Sequence, residues 1–167
     1  MAGQVELRAM DEQVLAGLLA VAVADAAPEE VMPPVAGPPG WTQTRQEAFR
    51  AWHRARRPGL AGPLGEVTFA VVDDGSIVGS ARLARRDPST PGVLETGLWL
   101  ARSRRGRGTG TAALRLIRAE AARLGADHVV ADTRSHNAAA LGALRRNGAA
   151  LSPAPDGDQV EARLPVT

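Results

Sequence analysis

A short run of closely spaced glycines between two apolar segments constrains the fold of this chain more than any other feature. The β-rich residues 93–100 lead into the turn RGRGTG at residues 105–110, and residues 109–124 then carry apolar side chains at helical spacing. The predicted buried face of this helix consists of Leu114, Ile117, Ala121 and Leu124. The sequence therefore predicts a strand that passes through a glycine turn into a helix.

A glycine turn that opens a helix is suited to an anion. The first N–H groups of a helix have no partner within the helix and lie at the positive end of its dipole. Glycine allows an anion to approach those groups closely. The turn is also surrounded by guanidinium groups, which suit phosphate oxygens, on Arg102, Arg104, Arg105 and Arg107. We therefore predict a pyrophosphate as the ligand of the turn.

Two common phosphate motifs do not fit this turn. A Walker loop needs Gly-Lys-Ser/Thr, and the chain has no lysine. The dinucleotide fingerprint is G-x-G-x-x-G, whereas the spacing here is G-x-G-x-G. The remaining alternative is a tight loop whose glycines bind nothing and whose arginines are solvated.

The rest of the chain predicts one α+β domain over residues 1–167, because that length suits a single core. Residues 25–40 contain five prolines and are predicted as a loop, and residues 44–47 (TRQE) match a capping box that starts a helix. The other predicted elements are a strand at 5–8, a helix from about 11 to 24, a hairpin of 67–72 with 77–83, a strand at 128–131, a helix at 138–147 and two weak strands in the tail.

The charge of the chain does not indicate a nucleic-acid partner, although the pI is about 10.7. All 20 basic residues are arginine and the chain has no Tyr or Cys, so a formal charge of +2 is enough to give an extreme pI. An RNA-associated protein that uses the arginines at 54, 56, 57, 85, 86, 145 and 146 remains an alternative. The absence of Cys excludes disulfides and thiolate metal sites, and we predict no metal site.

The apolar residues 14–24 resemble part of a secretory signal. The residues before them carry three acidic side chains and one arginine, which is the wrong charge for a signal peptide, and eleven residues are too few to span a bilayer. We therefore predict a half-buried helix in a cytoplasmic protein that has no membrane partner.

Two motifs in the stretch from residue 66 to residue 148 resemble those of the GCN5-related N-acetyltransferase (GNAT) superfamily. The turn RGRGTG fits its Gln/Arg-x-x-Gly-x-Gly/Ala motif, together with the strand ETGLWL before it and the helix AALRL after it. Residues 132–141 (DTRSHNAAAL) are similar to its second motif, a strand end followed by Asn-x-x-Ala. The two motifs come in the expected order and at the expected separation.

The resemblance implies a GNAT fold of the α+β class and acetyl-CoA as the cofactor. Its sheet would be twisted, mixed and mostly antiparallel, flanked by helices, and would splay open after the strand ending at residue 100. The pantetheine arm would lie along Leu98, Trp99 and Leu100. The pyrophosphate would lie on Arg105, Gly106, Arg107, Gly108, Thr109, Gly110 and Thr111. Asn137 would contact the arm or order the catalytic strand, and its alternative role is a helix N-cap.

Acetyl transfer to an amine needs the neutral amine, and an alkyl amine has a pKa of about 10, so a base helps. The resemblance gives two candidates. Glu95 lies on the central strand, where several members keep a base, and we favour it. Asp132 lies five residues before Asn137, where protein N-terminal acetyltransferases place theirs. Water relays are a further alternative, and either carboxylate could simply pair with an arginine.

The leaving thiolate has no obvious proton donor in this sequence. Many family members have a Tyr seven residues after the Asn, but this position is Leu144 and the chain has no Tyr. Ser135 or His136 could substitute, although each could equally be an ordinary loop residue. A thiol of pKa about 8.5 can also leave without a strong acid. The oxyanion is expected to meet a backbone N–H near Leu100.

The acceptor is expected to be the primary amine of a small molecule, of which an aminoglycoside antibiotic is one candidate. An acidic rim could attract such a polycation and would comprise Asp25, Glu29, Glu30, Asp156, Asp158 and Glu161. A stacking wall could consist of Trp41, Trp52 and His53, with solvated loops and a core Trp52 as the alternative.

Two other functions remain open, and so does the oligomeric state. The run GLWL before the turn also resembles the branch that acetylates the N-termini of ribosomal proteins. A non-catalytic acyl-CoA-binding regulatory protein is the alternative from another class, and the missing Tyr supports it. The resemblance also suggests a homodimer that pairs through sheet edges.

Overall fold

The computed structural model describes residues 3–155 and 157–166, in which seven strands form one sheet with helices on both faces. The strands are β1 (Val5–Ala9), β2 (Glu66–Asp73), β3 (Ser76–Arg85), β4 (Val93–Leu100), β5 (His128–Arg134), β6 (Ala150–Pro153) and β7 (Gln159–Pro165). The helices are α1 (Glu12–Asp25), α2 (Pro28–Val31), α3 (Gln43–Ala55), α4 (Thr109–Arg123) and α5 (Ala138–Arg146).

The sheet has the order β1-β2-β3-β4-β5-β7-β6. Five of the six neighbouring pairs are antiparallel, and β4 with β5 is the parallel pair. Since β5 returns to lie beside β4 in the same direction, α4 forms the crossover between them. The mixed, mostly antiparallel sheet of the predicted α+β fold is therefore confirmed.

Two apolar clusters cover the two faces of the sheet. On one face, α4 and α5 pack against the inward side chains of the central strands, including Leu83, Leu94 and Val129. On the other face, α1, α2 and α3 surround the fully buried Phe49 and pack on Ala70 and Val72. Side chains of a strand alternate between its faces, so neighbouring residues of β4 belong to different sides of the molecule.

The helix predicted from the apolar residues 14–24 is present as α1. The Asp11 carboxylate accepts a hydrogen bond from the Val14 N–H at 2.8 Å and so caps its start. Its buried residues are Val14, Leu15, Leu18, Leu19 and Ala22. Across residues 3–155 and 157–166, no helix is both long and apolar enough to cross a membrane.

The β2–β3 hairpin has the turn that its sequence predicts. Asp74 and Gly75 have φ angles of 49° and 82°, so both central residues are left-handed, as a type I′ turn requires. Glycine takes the second position without a steric penalty.

Three local predictions were wrong. The cap of α3 is Thr42, whose hydroxyl accepts from the Arg45 N–H at 3.2 Å, so residues 44–47 are already helical and do not form a capping box. The proline-rich residues 25–40 include the short helix α2, because Pro28 occupies the first turn, where its missing N–H costs nothing. Leu124, predicted in the core, follows the last residue of α4 and is 38 % exposed.

Arg45 organises the loop that connects α2 to α3. Its side chain is 7 % exposed, and its guanidinium donates hydrogen bonds to backbone carbonyls of that loop. The acceptors are Val35 (2.8 Å), Gly37 (3.3 Å), Pro38 and Gly40 (2.8 Å). One buried guanidinium thus pairs with four backbone carbonyls of the loop.

Candidate active site

The two central strands separate partway along their length. β4 and β5 pair only from Val93 with His128 to Glu95 with Val130. Beyond these residues β4 remains paired with β3 as far as Leu100, and β5 remains paired with β7. The split therefore begins at Thr96, earlier than the expected opening after residue 100.

A cavity of about 380 Å³ lies in this split. Its walls come from the facing edges of the two strands, from α5 with its cap residue, and from one residue each of α4 and β7. The lining residues are Thr96, Gly97, Leu98, Leu114, Ala131, Asp132, Thr133, Arg134, Asn137, Ala140, Ala143, Leu144 and Gln159. The facing backbone edges have no strand between them, so an extended amide-containing ligand could pair with either one.

The glycine turn begins at the far end of β4. A 3-10 turn at Arg102–Arg104 leads to Gly106 and Gly108, whose φ angles are 76° and 82°. These left-handed conformations suit glycine. Gly108 is the N-cap residue of α4 and has no side-chain cap.

A further feature of the site is the set of backbone N–H groups in the turn. Within the part of the chain that the structure describes, no backbone or side-chain acceptor is found for the N–H groups of residues 106–111. Arg105 and residues 106–108 are exposed, so an anion has direct access to these groups. Unlike the exposed residues before it, Thr109 is buried, and its hydroxyl donates to Asp73 Oδ2 at 3.2 Å. Its backbone amide is therefore the group available to a ligand.

Two of the four arginines near the turn are engaged by one carboxylate. Glu30 of α2 accepts from Arg102 Nη2 at 2.6 Å and from Arg105 Nη2 at 2.7 Å. These hydrogen bonds, of which the one from Arg102 has the larger effect, hold the pKa of the Glu30 carboxyl below its ordinary value. Among the described residues no ion pair is found for Arg104 or Arg107.

A second contact ties the end of α1 to the same turn. The Asp25 carboxylate accepts from the Ser103 N–H at 3.1 Å and from the Ser103 hydroxyl. These hydrogen bonds lower the pKa of Asp25. Asp25 and Glu30 therefore bind the turn and are not free members of an acidic rim. Asp156, another member of that predicted rim, lies outside the described residues.

The two candidate bases share one arginine. Arg86 Nε lies 3.1 Å from Glu95 Oε2, and Arg86 Nη2 lies 2.5 Å from Asp132 Oδ2. Glu95 and Asp132 lie on the sheet face opposite α4, because their strand neighbours Leu94 and Ala131 pack in the α4 cluster, and Arg86 contacts them there. Each carboxylate therefore pairs with an arginine, as the alternative interpretation expected.

The surroundings of the two carboxylates differ. Glu95 is the last residue of β4 that pairs with β5, and its other oxygen accepts from Arg82 Nη2 at 2.8 Å. Both Glu95 oxygens thus contact a guanidinium. Asp132 lies beyond the paired segment, lines the cavity and has a side chain that is 41 % exposed.

Asn137 lies at the rim of the cavity and caps α5. Its Oδ1 accepts from the Ala140 N–H at 3.1 Å, which is the alternative role considered for it. Leu144, at the position of the family's Tyr, lines the same cavity. Ser135 and His136 are exposed and are not among the lining residues.

The predicted stacking wall does not form. His53 is 1 % exposed, its Nδ1 lies 2.9 Å from Thr68 Oγ1, and burial lowers its pKa to about 4. Trp52 stacks against Arg56, whose guanidinium carbon is 3.7 Å from the ring centroid. His53 is therefore a core residue.

Sequence reasoning missed the role of Arg86, which it grouped with arginines of a possible RNA surface. Several of those arginines are paired within the chain: Arg54 and Arg57 with Glu12, and Arg56 with Glu66. Only the assembled sheet brings Arg86 to Asp132 and Glu161, since these lie on β5 and β7 and are distant from it in sequence. No local pattern indicates such a contact.

The comparisons with known proteins agree with this geometry. The sequence profile of the family described as acetyltransferase (GNAT) domain matches residues 4–150. The chain therefore belongs to the GNAT acetyltransferase family. It is an acetyl-CoA-dependent N-acetyltransferase of that family. A search of curated protein sequences gave no significant match.

Solved structures share the fold over nearly the whole chain. Mycobacterium smegmatis RimJ in complex with a CoA disulfide has a TM-score of 0.74 at 22 % identity, covering 98 % of this chain and 82 % of that one. RimL, a ribosomal L7/L12 alpha-N-protein acetyltransferase in complex with coenzyme A, has a TM-score of 0.73 at 21 % identity, covering 96 % and 93 %. AAC(6')-Ib in complex with ribostamycin and coenzyme A has a TM-score of 0.70 at 20 % identity, covering 97 % and 93 %.

Proposed function

We propose that this enzyme transfers the acetyl group of acetyl-CoA to the primary amine of a small molecule by direct attack on the thioester. The observation that carries the proposal is the row of free amides at residues 106–111, next to the split between β4 and β5. A diphosphate needs such donors, and an extended arm needs such a gap. Acetyl-CoA supplies both groups and an activated acetyl thioester.

The residues present fit the cofactor. The amides of residues 106–111 would hold the diphosphate, and Arg104 and Arg107 have no ion pair within the described chain that would keep them from it. Arg105 is the less suitable partner, because its Nε donates to the Leu100 carbonyl and its Nη2 to Glu30. It serves better to fix the turn to the end of β4.

The pantetheine arm would follow the free edge of β4 along Leu98, Trp99 and Leu100. Leu98 also lines the cavity, whereas the Trp99 side chain packs on the opposite face, so Trp99 would contribute through its backbone. A backbone N–H near Leu100 would donate to the thioester oxygen as negative charge develops there. Asn137 would act by holding the start of α5 at the cavity rim.

The acceptor would approach from the face opposite α4, since α4 and α5 cover the other mouth of the split. Asp132 lies on that face and lines the cavity, so it would take the proton that the amine gives up. This reverses the preference for Glu95, whose two oxygens each accept from an arginine and which does not line the cavity.

The sulfur would leave without a strong acid from this chain. Leu144 has no proton to give, and a thiol of pKa about 8.5 is an acceptable leaving group near neutral pH. In the balanced reaction a C–N bond forms, the C–S bond breaks and the amine proton passes by way of Asp132 to solvent or to the departing thiolate.

Measuring CoA release with small polyamines, aminoglycosides and N-terminal peptides tests the proposal. Asp132→Asn should lower kcat at least about tenfold with the preferred acceptor, and Glu95→Gln should lower it less. Glu47→Gln, an exposed carboxylate on α3, is the matched control. Full activity in Asp132→Asn would refute its role as base.

A second candidate is acetylation of protein N-termini. The place of Asp132, five residues before Asn137, favours it, because the resemblance puts the base of such enzymes there. Faster CoA release with an N-terminal peptide than with any small amine would select this function. Tight CoA binding without turnover on any amine would instead support a non-catalytic binding protein.

A further inference from the structure

Arg86 is surrounded by carboxylates from three different strands. Its Nε contacts Glu95 of β4 at 3.1 Å, its Nη2 contacts Asp132 of β5 at 2.5 Å, and its Nη1 lies 3.7 Å from Glu161 of β7. Arg86 itself follows the last residue of β3. One guanidinium therefore bridges the split on the face opposite α4.

The charges around Arg86 are not balanced without it. Glu95 keeps a second partner, because Arg82 Nη2 lies 2.8 Å from its Oε1. For Asp132 and Glu161, no other ion pair is found among residues 3–155 and 157–166. Removal of the guanidinium would leave these two carboxylates with two uncompensated charges.

The guanidinium can be displaced. The Arg86 side chain is 37 % exposed, and those of Asp132 and Glu161 are 41 % and 49 % exposed. Ion pairs at such exposure contribute little, because water and salt screen them. A cationic ligand could therefore compete with Arg86 for these carboxylates.

We propose that Arg86 determines acceptor specificity by occupying the position of the acceptor's cationic groups until the acceptor displaces it. This rests on the proposed function, in which Asp132 faces the acceptor. An amine with a single positive charge replaces the guanidinium charge for charge. A diamine or polyamine offers one cation to Asp132 and another to Glu161, so it compensates both charges and is preferred.

The displacement also explains how a paired carboxylate can act as a base. While Arg86 is in place, Asp132 Oδ2 is engaged by its guanidinium. When the ammonium group of the acceptor takes that position, the same oxygen receives the proton that the amine must lose. Binding of the acceptor then frees the Asp132 carboxylate from Arg86 in the same step.

Calorimetry with spermidine as the probe, on the protein saturated with CoA, tests the proposal directly. Arg86→Gln should bind spermidine about fivefold more tightly than the unchanged protein, because an internal competitor has been removed. Arg85→Gln is the matched control: it removes the same charge one residue away, from a side chain whose Nε donates to the Leu60 carbonyl. Its affinity for spermidine should stay within about twofold of the unchanged protein.

A second variant keeps the test decisive if Arg86→Gln does not fold. Glu161→Gln should weaken spermidine binding about threefold, since it removes one of the two carboxylates that the polyamine would contact. Equal or weaker binding in Arg86→Gln, or unchanged binding in Glu161→Gln, would overturn the proposal.

Kinetics separate this inference from the proposed function. With an active acceptor, Arg86→Gln should lower KM for spermidine; a fall in kcat with unchanged KM would make Arg86 a positioning residue for the carboxylates and overturn the proposal. If no amine is acetylated but spermidine binding tightens in Arg86→Gln, the cation site stands and the proposed function fails. If amines are acetylated but Arg86→Gln changes neither the affinity nor the KM for spermidine, the proposed function stands and the role of Arg86 in specificity fails.

Discussion

The Glu30 carboxylate and the Arg105 guanidinium lie 2.7 Å apart, which joins α2 to the glycine turn. The same carboxylate also holds Arg102, so two cations that could face a diphosphate are neutralised from within the chain. Glu30→Gln should release both and bind CoA about threefold more tightly, as measured by calorimetry.

The neighbouring Glu29→Gln is the control for this change. It removes the same charge from the first turn of α2, but no ion pair of Glu29 with the turn is found among the described residues. CoA affinity should be nearly unchanged in that variant. Weaker CoA binding in Glu30→Gln would mean that Glu30 instead orders the arginines for the cofactor.

Gly108→Val should reduce CoA affinity by about 10- to 100-fold for each amide–phosphate hydrogen bond that is lost. The residue has a φ of 82° at the N-cap of α4, and a branched side chain there would stand between the diphosphate and the amides. Gly125→Val provides the comparison, because its φ is 90° but it lies past the opposite end of α4 from the turn. Both variants should lose stability in urea unfolding, and only the first should lose CoA binding. Equal CoA affinity in the two would argue against a diphosphate at the turn.

His53 should make the protein less stable as the pH falls. Burial lowers the pKa of its imidazole from 6.5 to about 4, so the folded protein resists a proton that the unfolded chain accepts. The stabilisation is complete above pH 6.5 and is lost as the pH falls towards 4. Between about pH 7.5 and 4.5 this single group should cost about 2–3 kcal/mol.

The contribution of His53 can be isolated by difference. His53→Gln keeps a polar side chain near Thr68 and does not titrate in this range, while the other two histidines and all carboxylates are present in both proteins. The free energy of unfolding from urea titrations should fall further in the unchanged protein than in the variant. Parallel pH profiles would show that His53 does not resist protonation.

Gly79→Ala should destabilise the protein by about 1–3 kcal/mol and weaken CoA binding at the same time. A Cβ at this position would overlap the Trp99 carbonyl oxygen and lie 3.0 Å from the Leu100 Cα, so the end of β4 would have to move. Gly142→Ala on α5 is the control, because its nearest neighbour at 3.2 Å is the flexible end of the Arg146 side chain. That change should leave stability unchanged or raise it, as alanine favours a helix. A folded Gly79→Ala protein with normal stability would contradict the close approach.

Local sequence patterns predicted the parts of the site that depend on neighbouring residues. The passage from β4 through Gly106 and Gly108 into α4 follows from apolar spacing and from the conformations that glycine allows. The β2–β3 hairpin follows from its Asp-Gly turn in the same way. In each case the deciding interactions span only a few residues.

Contacts between residues that are far apart in the sequence could not be predicted. Arg86 meets Asp132 across 46 positions of the sequence, and Glu30 meets Arg105 across 75. Exposed charges have many possible partners, and only the assembled fold selects one. The sequence does not reveal which of Glu95 and Asp132 borders the cavity, so the choice of the base between them stays a prediction.

The contacts of Arg45 should make the loop between α2 and α3 resistant to changes in salt concentration and pH. Its four acceptors are uncharged backbone carbonyls. Acid does not protonate these carbonyls, and dissolved salt does not screen their hydrogen bonds as it screens an ion pair. The ion pairs of Glu30, by contrast, are open to both. The loop between α2 and α3 should therefore keep its shape over a range of salt concentration and pH in which the ion pairs of Glu30 weaken.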